Sequence, residues 1–195
     1  MHKVRRRHRG DTMIETLVAI FILVLIVGIV FQMYLVYTQD FYFYDARARL
    51  VQLASDTAME LNRTANSATA IESSWNVAWK GATYTSNAGT VVLKTSSIDA
   101  AGNPIAGQFD HIILTAQAGD VTKISEITDA NTAGGSKRTN SEKTIGSSVG
   151  EYVFTYQNAD PATSPNVGLA IIMTKVLAKT TVTHTLQTYA KLRNK

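Results

Sequence analysis

The chain has 195 residues, no cysteine and a formal charge of +4; this length suits one domain plus an anchor, and the composition excludes disulfide staples and thiolate metal sites. The charge is unevenly placed: Lys3, Arg5, Arg6, Arg7 and Arg9 stand within the first ten residues, and without them 14 basic residues face 15 acidic ones. The basic balance is therefore a property of the N-terminal tail and indicates no direct nucleic-acid-binding surface.

Behind the tail the sequence reads Arg9-Gly10-Asp11-Thr12-Met13-Ile14-Glu15-Thr16 and then turns apolar. From Leu17 to Phe31 every residue is apolar or glycine, and extension to Tyr37 adds only Gln32 as a polar interruption. About 21 residues at 1.5 Å each make roughly 31 Å, enough to cross a hydrocarbon core. The run is apolar on all sides, as lipid or a bundle of like helices requires. No proline precedes Pro104, so nothing obliges this helix to break, and Gly28 is its one soft point. Arginines ahead of an apolar run set a single-pass orientation with the N-terminus cytoplasmic and the C-terminus outside. Glu15 stands at the head of this run; a carboxylate at the centre of a spanning helix costs roughly 2.5–3.5 kcal/mol, so one found in such a segment needs a partner. A secretory signal peptide would need a small-x-small site close behind the apolar core, and Ala46-Arg47-Ala48 lies too far downstream. A plain signal anchor explains the basic tail and the apolar run, but not Gly10 five residues ahead of Glu15.

Beyond the apolar run the pattern becomes periodic. Met33, Tyr37, Phe41, Tyr44, Ala48, Val51, Ala54, Ala58 and Leu61 recur every three or four residues, with charged residues between them. This predicts an amphipathic continuation over 38–66 of the 11–37 helix, the whole spanning about residues 12–65 and on the order of 80 Å. The Asn, Ser and Thr residues of 62–69 end it. Tyr34, Tyr37, Phe41, Tyr42, Phe43 and Tyr44 form an interfacial aromatic belt with core contacts.

The remainder, 67–195, is rich in Thr, Ser, Val, Ile, Gly and Asn and reads as β structure. Strands are expected at 82–85, 90–94, 109–116, 121–127, 152–157, 168–175 and 180–192, the last two being the longest. Ala118-Gly119-Asp120 reads as a hairpin turn, 99–104 as a turn, and 129–143 and 158–166 as polar loops. Gly134-Gly135 is the most flexible point of the first loop. The fold class expected is α+β, with one long N-terminal helix packed on a C-terminal antiparallel sheet.

The basic leader, Gly10, Glu15 and the apolar helix together resemble the processing site of type IV prepilins and pseudopilins. In that family a prepilin peptidase cuts after the glycine, and the fifth residue of the mature chain is glutamate. The resemblance implies a leader of residues 1–10, a mature terminus at Asp11 and an assembly role for Glu15. Asp11 departs from the phenylalanine or methionine usual there, which leaves N-methylation open. Val92 to Asp99, Phe109 to Leu114 and the ending Lys191-Leu192-Arg193-Asn194 resemble minor pseudopilins of the PulJ/PilW type. The implied protein is a structural subunit with a pilin-like fold, held in the cytoplasmic membrane and then in an extracellular or periplasmic filament. Its partners would be prepilin peptidase and other pilin subunits. Pili, DNA uptake and type II secretion share this plan.

Catalytic chemistry finds little support. Gly146-Ser147-Ser148-Val149-Gly150 spells a nucleophile elbow, but that motif needs a strand before it and a helix after it, where a loop and a β-patterned segment are expected. His111 and His184, both in expected strands, could face each other on a sheet; two histidines without cysteine make a poor metal site. Asp99 and Asn103 lack the further ligands of a calcium loop. No enzyme, cofactor or metal is expected.

Overall fold

The structure, a computed structural model, describes residues 9–178 and 180–193, apart from the side chains of 9–12. The protein is α+β. Helix α1, Arg9–Ser67, is followed by ten strands in antiparallel sheets: β1 Ala68–Glu72, β2 Ser74–Val77, β3 Ala82–Thr85, β4 Thr90–Ile98, β5 Pro104–Gln117, β6 Asp120–Asp129, β7 Ser141–Gly146, β8 Val149–Tyr156, β9 Asn166–Val176 and β10 Thr181–Lys191. Contacts divide the chain into two units, the first ending at Asp45 and the second beginning at Ala46.

In the first unit α1 runs through Gly28 without interruption. Its large apolar side chains from Met13 to Val36 are 44–70 % exposed. An 18-residue window reaches a mean hydropathy of 3.0 with none of it buried within the chain. By length and composition this helix can cross a membrane once.

The second unit holds the core. Strands β1-β4-β5-β6-β7 form a five-stranded sheet, β10-β9-β8 a three-stranded one, and β2-β3 a hairpin. The hairpin covers one face of the large sheet: Val77 packs with Val92, Ile113 and Ile127, flanked by Trp75 and Tyr84. The part of α1 in this unit lies on the other face, where Thr64 Oγ1 donates to Glu126 (3.0 Å) and Thr57 Oγ1 to the Ile145 carbonyl (3.1 Å). Double cover explains why Asp110 to Leu114 on β5 are buried consecutively, without the alternation of a one-sided strand. The small sheet meets the helix where Asn62 Nδ2 donates to Thr188 Oγ1 at 3.2 Å.

The expected helical stripe coincides with the buried one at Ala54, Ala58 and Leu61 and differs from it elsewhere. Ala46, Leu50, Ala54, Thr57, Ala58, Leu61, Thr64 and Ala65 are buried, whereas Phe41 (68 %), Tyr44 (65 %) and Val51 (42 %) are exposed. Both series repeat every three or four residues, and the sequence pattern favours the bulkier one. Close approach selects the smaller: a Cβ on Gly146 would stand 3.1 Å from Thr57 Oγ1. The helix ends where Ser67 Oγ donates to the Thr64 carbonyl (2.7 Å) and Thr95 Oγ1 to the Ser67 carbonyl (3.0 Å), so two of its last carbonyls find side-chain donors.

Strand β3 has the expected bounds, and Ala118-Gly119 forms the β5–β6 turn with Gly119 at φ +80°. Strands β1 and β2 lie in a polar stretch whose composition hides them; pairing of Ile71 with Leu93 and of Trp75 with Tyr84 makes them strands. Strand β7 occupies the end of the expected 129–143 loop, because its residues are those of an exposed sheet edge. The longest strand is β5, with 14 residues against 11 each for β9 and β10. It begins at Pro104, a position where a strand tolerates proline, and passes Gly107 at φ +72°.

A fragment beginning at Thr38 should therefore be soluble and unfold cooperatively in urea. Within it, Leu61→Ala should lose about 2–5 kcal/mol by leaving a cavity, while Phe41→Ala should change stability by less than about 0.5 kcal/mol. Comparable losses at both positions would put the aromatic stripe in the core.

Candidate functional site

The sequence singles out Gly10, Asp11 and Glu15. Residues 1–8 of the expected leader lie outside the described residues, and so does the side chain of Asp11, although Gly10 and Asp11 are both helical in α1. Glu15 is exposed on α1, one turn beyond Asp11, between the exposed Met13, Ile14, Leu17 and Val18. A carboxylate set among uncovered apolar side chains is suited to a cationic partner once that surface is desolvated.

The aromatic residues at 41–44 stack edge to face on the same helix, Phe41 with Tyr42 at 6.1 Å and Phe43 with Tyr44 at 5.8 Å between ring centroids. Phe41, Tyr42 and Tyr44 are exposed and Phe43 is half-buried, so the expected core contacts are not made by the first three.

The other sequence candidates separate. Strand β7 precedes Ser147-Ser148 and β8 follows, so the elbow lettering is a two-residue link between strands. A strand, not the expected loop, comes before it, and no helix comes after. His111 lies on β5 of the large sheet and His184 on β10 of the small one, so they do not face each other across one sheet. Asp99 accepts from the Asn103 backbone N–H at 2.8 Å and so closes its own turn.

Two polar clusters, one buried and one largely exposed, were not foreseen from the sequence. The first centres on Asp110, fully buried, which accepts from the Asn131 backbone N–H (2.8 Å), Arg138 Nη1 (2.6 Å), Ser97 Oγ (2.8 Å) and Ser136 Oγ (2.8 Å). Burial pushes its carboxyl up, but these bonds outweigh burial and hold it below the ordinary range. They also pin the 130–140 loop, including the Gly134-Gly135 step, where Gly134 N–H donates to Asn131 Oδ1 at 2.8 Å. The second group joins α1 to β6 and β7. Arg63 binds Glu60 through two bonds, and Lys143 contacts both Glu60 and Glu126. The Arg63 bonds, helped by Lys143, hold Glu60 down to about 2 against burial. The one sequence hint was a charged Asp110 beside the apolar run Ile112-Ile113-Leu114, which requires a partner wherever the strand is covered.

His111 stacks flat on Trp75 at 3.4 Å between centroids, and its buried Nε2 has no hydrogen-bond partner among the described residues. Trp75 Nε1 donates to Asp129 at 2.7 Å, fixing the indole above the imidazole. Burial lowers the imidazole pKa, opposed by the Glu72, Asp129 and Asp110 carboxylates and reinforced by Lys94.

No protein-family model matches the sequence, and no curated protein matches it with significant similarity.

The His111 geometry fixes a sign for pH dependence. The folded pKa lies below the ordinary 6.5, so the unfolded chain takes the proton first. Its contribution is complete above about pH 6.5 and declines as pH falls from there through the folded value. Melting temperature should accordingly drop between pH 7.5 and 5 in the native chain and stay flatter in His111→Phe. The depressed carboxyls of Asp110 and Glu60 matter only below this window, as pH falls past the ordinary carboxylate range near 4. An equally steep drop in the variant would assign the transition to another group.

Proposed function

We propose that this chain is a minor pilin or pseudopilin, a structural and non-catalytic subunit of a type IV pilus-like or type II secretion-like filament. The observation that carries the proposal is Glu15, an exposed carboxylate set among the uncovered apolar side chains of Met13, Ile14, Leu17 and Val18, five residues after Gly10 and a basic leader. On this reading prepilin peptidase cuts after Gly10 and Asp11 becomes the terminus. The helix first spans the cytoplasmic membrane, with its N-terminus inside, and then packs against other subunits in an extracellular or periplasmic filament. The β region folds on its own core and faces outwards. The rival is an uncleaved signal-anchored β domain that binds an external ligand; it leaves Glu15 without a partner.

Processing is tested by intact mass. Protein extracted from membranes that contain a functional prepilin peptidase should lack residues 1–10, and Gly10→Leu should retain them. A native chain that keeps its leader under those conditions would establish the rival.

Assembly is tested at Glu15. Cleavage creates an α-amino group at Asp11, with an ordinary pKa of about 7.7–8.0, so it is largely cationic near neutrality. In an apolar bundle a neighbour's Glu15 would neutralise it, and an uncompensated charge there costs about 3–5 kcal/mol. Glu15→Val should insert and be cut normally, since a charge has been removed from the membrane segment, yet its recovery in sheared filaments should fall by more than about tenfold. Recovery equal to the native chain would remove the role of Glu15, with the Asp11 carboxylate then neutralising its own amine.

A further inference from the structure

Two cavities adjoin where α1 ends, sharing Ser67 and Arg138 as wall residues. One, of about 530 Å³, opens between the end of β4, the start of β5 and Arg193; the other, of about 430 Å³, lies between α1, the end of β6 and the 137–143 segment. Each falls within the size range of ligand pockets, about 300–1,000 Å³. Their walls carry five cations, Arg63, Lys137, Arg138, Lys143 and Arg193, against one carboxylate, Glu126.

The charge is concentrated at this place. Residues 46–193 hold thirteen Lys and Arg and eleven Asp and Glu. The five groove cations and the three carboxylates that pair with them, Glu60, Asp110 and Glu126, account for the whole positive excess, and the other charges balance. Arg63, Arg138 and Lys143 are committed to those carboxylates and form fixed walls. Lys137 and Arg193 pair with no carboxylate among the described residues. Among the described residues the Lys137 ammonium makes one long contact, 3.4 Å to the Ala100 carbonyl. Two cations thus remain available for a ligand.

The rest of the wall names the ligand's other half. Hydroxyls line both cavities, from Thr69, Thr95 and Ser96 in one and Thr128, Thr139 and Ser141 in the other. No aromatic ring lines either, whereas nucleic-acid strands are gripped by stacking bases on aromatic side chains. We infer that this groove binds an acidic glycan, its carboxylate or sulfate groups meeting Lys137 and Arg193 and its ring hydroxyls meeting the Ser and Thr side chains. Such a site is independent of filament assembly.

The test is calorimetry on the full chain in a non-ionic detergent, titrated with a heparin tetrasaccharide, a galacturonate tetramer, neutral maltotetraose and a single-stranded oligothymidylate. One or both acidic glycans should bind, weaken with added salt, and lose more than about tenfold in affinity in Lys137→Gln/Arg193→Gln, equivalent to about 1.4 kcal/mol per tenfold. The variant's melting temperature should not change, because neither side chain is committed to a carboxylate; the single Lys137→Glu on the exposed loop gives the same direction if Arg193→Gln proves disruptive. Lys175→Gln, exposed on β9, and Lys123→Gln, half-exposed on β6 and paired with Asp120, should bind as the native chain does. Binding of neither acidic glycan, equal losses in the Lys123 and Lys175 variants, equal binding of maltotetraose, or tighter binding of the oligonucleotide through Lys137 and Arg193 would each overturn the assignment.

Discussion

The second unit depends on how closely α1 sits on its sheet. Gly146 leaves room for Thr57, and a Cβ there would force one of them to move. At that separation large side chains do not fit along the whole contact. The buried stripe is therefore mostly alanine and threonine, with Leu50 and Leu61 as its two large members, each only 1 % exposed. The threonines add what alanine cannot. Thr57 and Thr64 reach a strand carbonyl and a buried carboxylate, so close packing does not strand polar groups. With one face of the large sheet sealed by the helix and the other by the β2–β3 hairpin, β5 becomes a strand buried on both sides, which is why a charged residue on it needs as many partners as Asp110 has.

The first unit poses the opposite problem. Its apolar side chains find no cover within their own chain, and a contiguous apolar surface of this size does not persist in water. Lipid or like helices must supply the missing contacts, and both environments raise the energetic stake of one carboxylate. On the proposed filament reading, Glu15 would be a liability in lipid that a neighbouring cation or the membrane interface relieves, and between helices it would act as a register mark, because a shifted neighbour would leave it unpaired.

What the sequence discloses follows the strength of each local signal. The apolar run, the helix and β3, β6, β9 and β10 were legible because their periodicity or composition is decisive over many residues. The stripe on α1 was legible at Ala54, Ala58 and Leu61 only; at the other positions two series with the same spacing diverge, and only the sheet's distance chooses between them. Strands β1, β2 and β7 were hidden for a related reason: at a sheet edge or in a small hairpin, pairing rather than composition makes the strand, and Ser141-Glu142-Lys143-Thr144 carries no apolar alternation. Of the candidate site, Glu15 was visible as a charge out of place. The groove was invisible, since Arg63, Lys137, Arg138, Lys143 and Arg193 come from the helix, one loop, one strand and the C-terminal segment, and no window of sequence contains them together.

The buried ion pairs near the groove give the fold specificity more than strength. A buried pair roughly offsets its own desolvation, so Asp110–Arg138 adds little net stability, yet leaving either member alone is strongly unfavourable. That asymmetry fixes the 130–140 loop in one place, because only there do Asn131, Ser136 and Arg138 all reach the Asp110 carboxylate. Lys143, exposed itself, reaches both Glu60 and the buried Glu126 and so links β7 to the helix through a weaker, solvent-screened contact. Three of the five cations at the groove are thus consumed in placing its walls. Their charge is largely cancelled, and the field that an approaching anion meets comes from the two that remain, Lys137 in one cavity and Arg193 in the other, with Arg138 lining both.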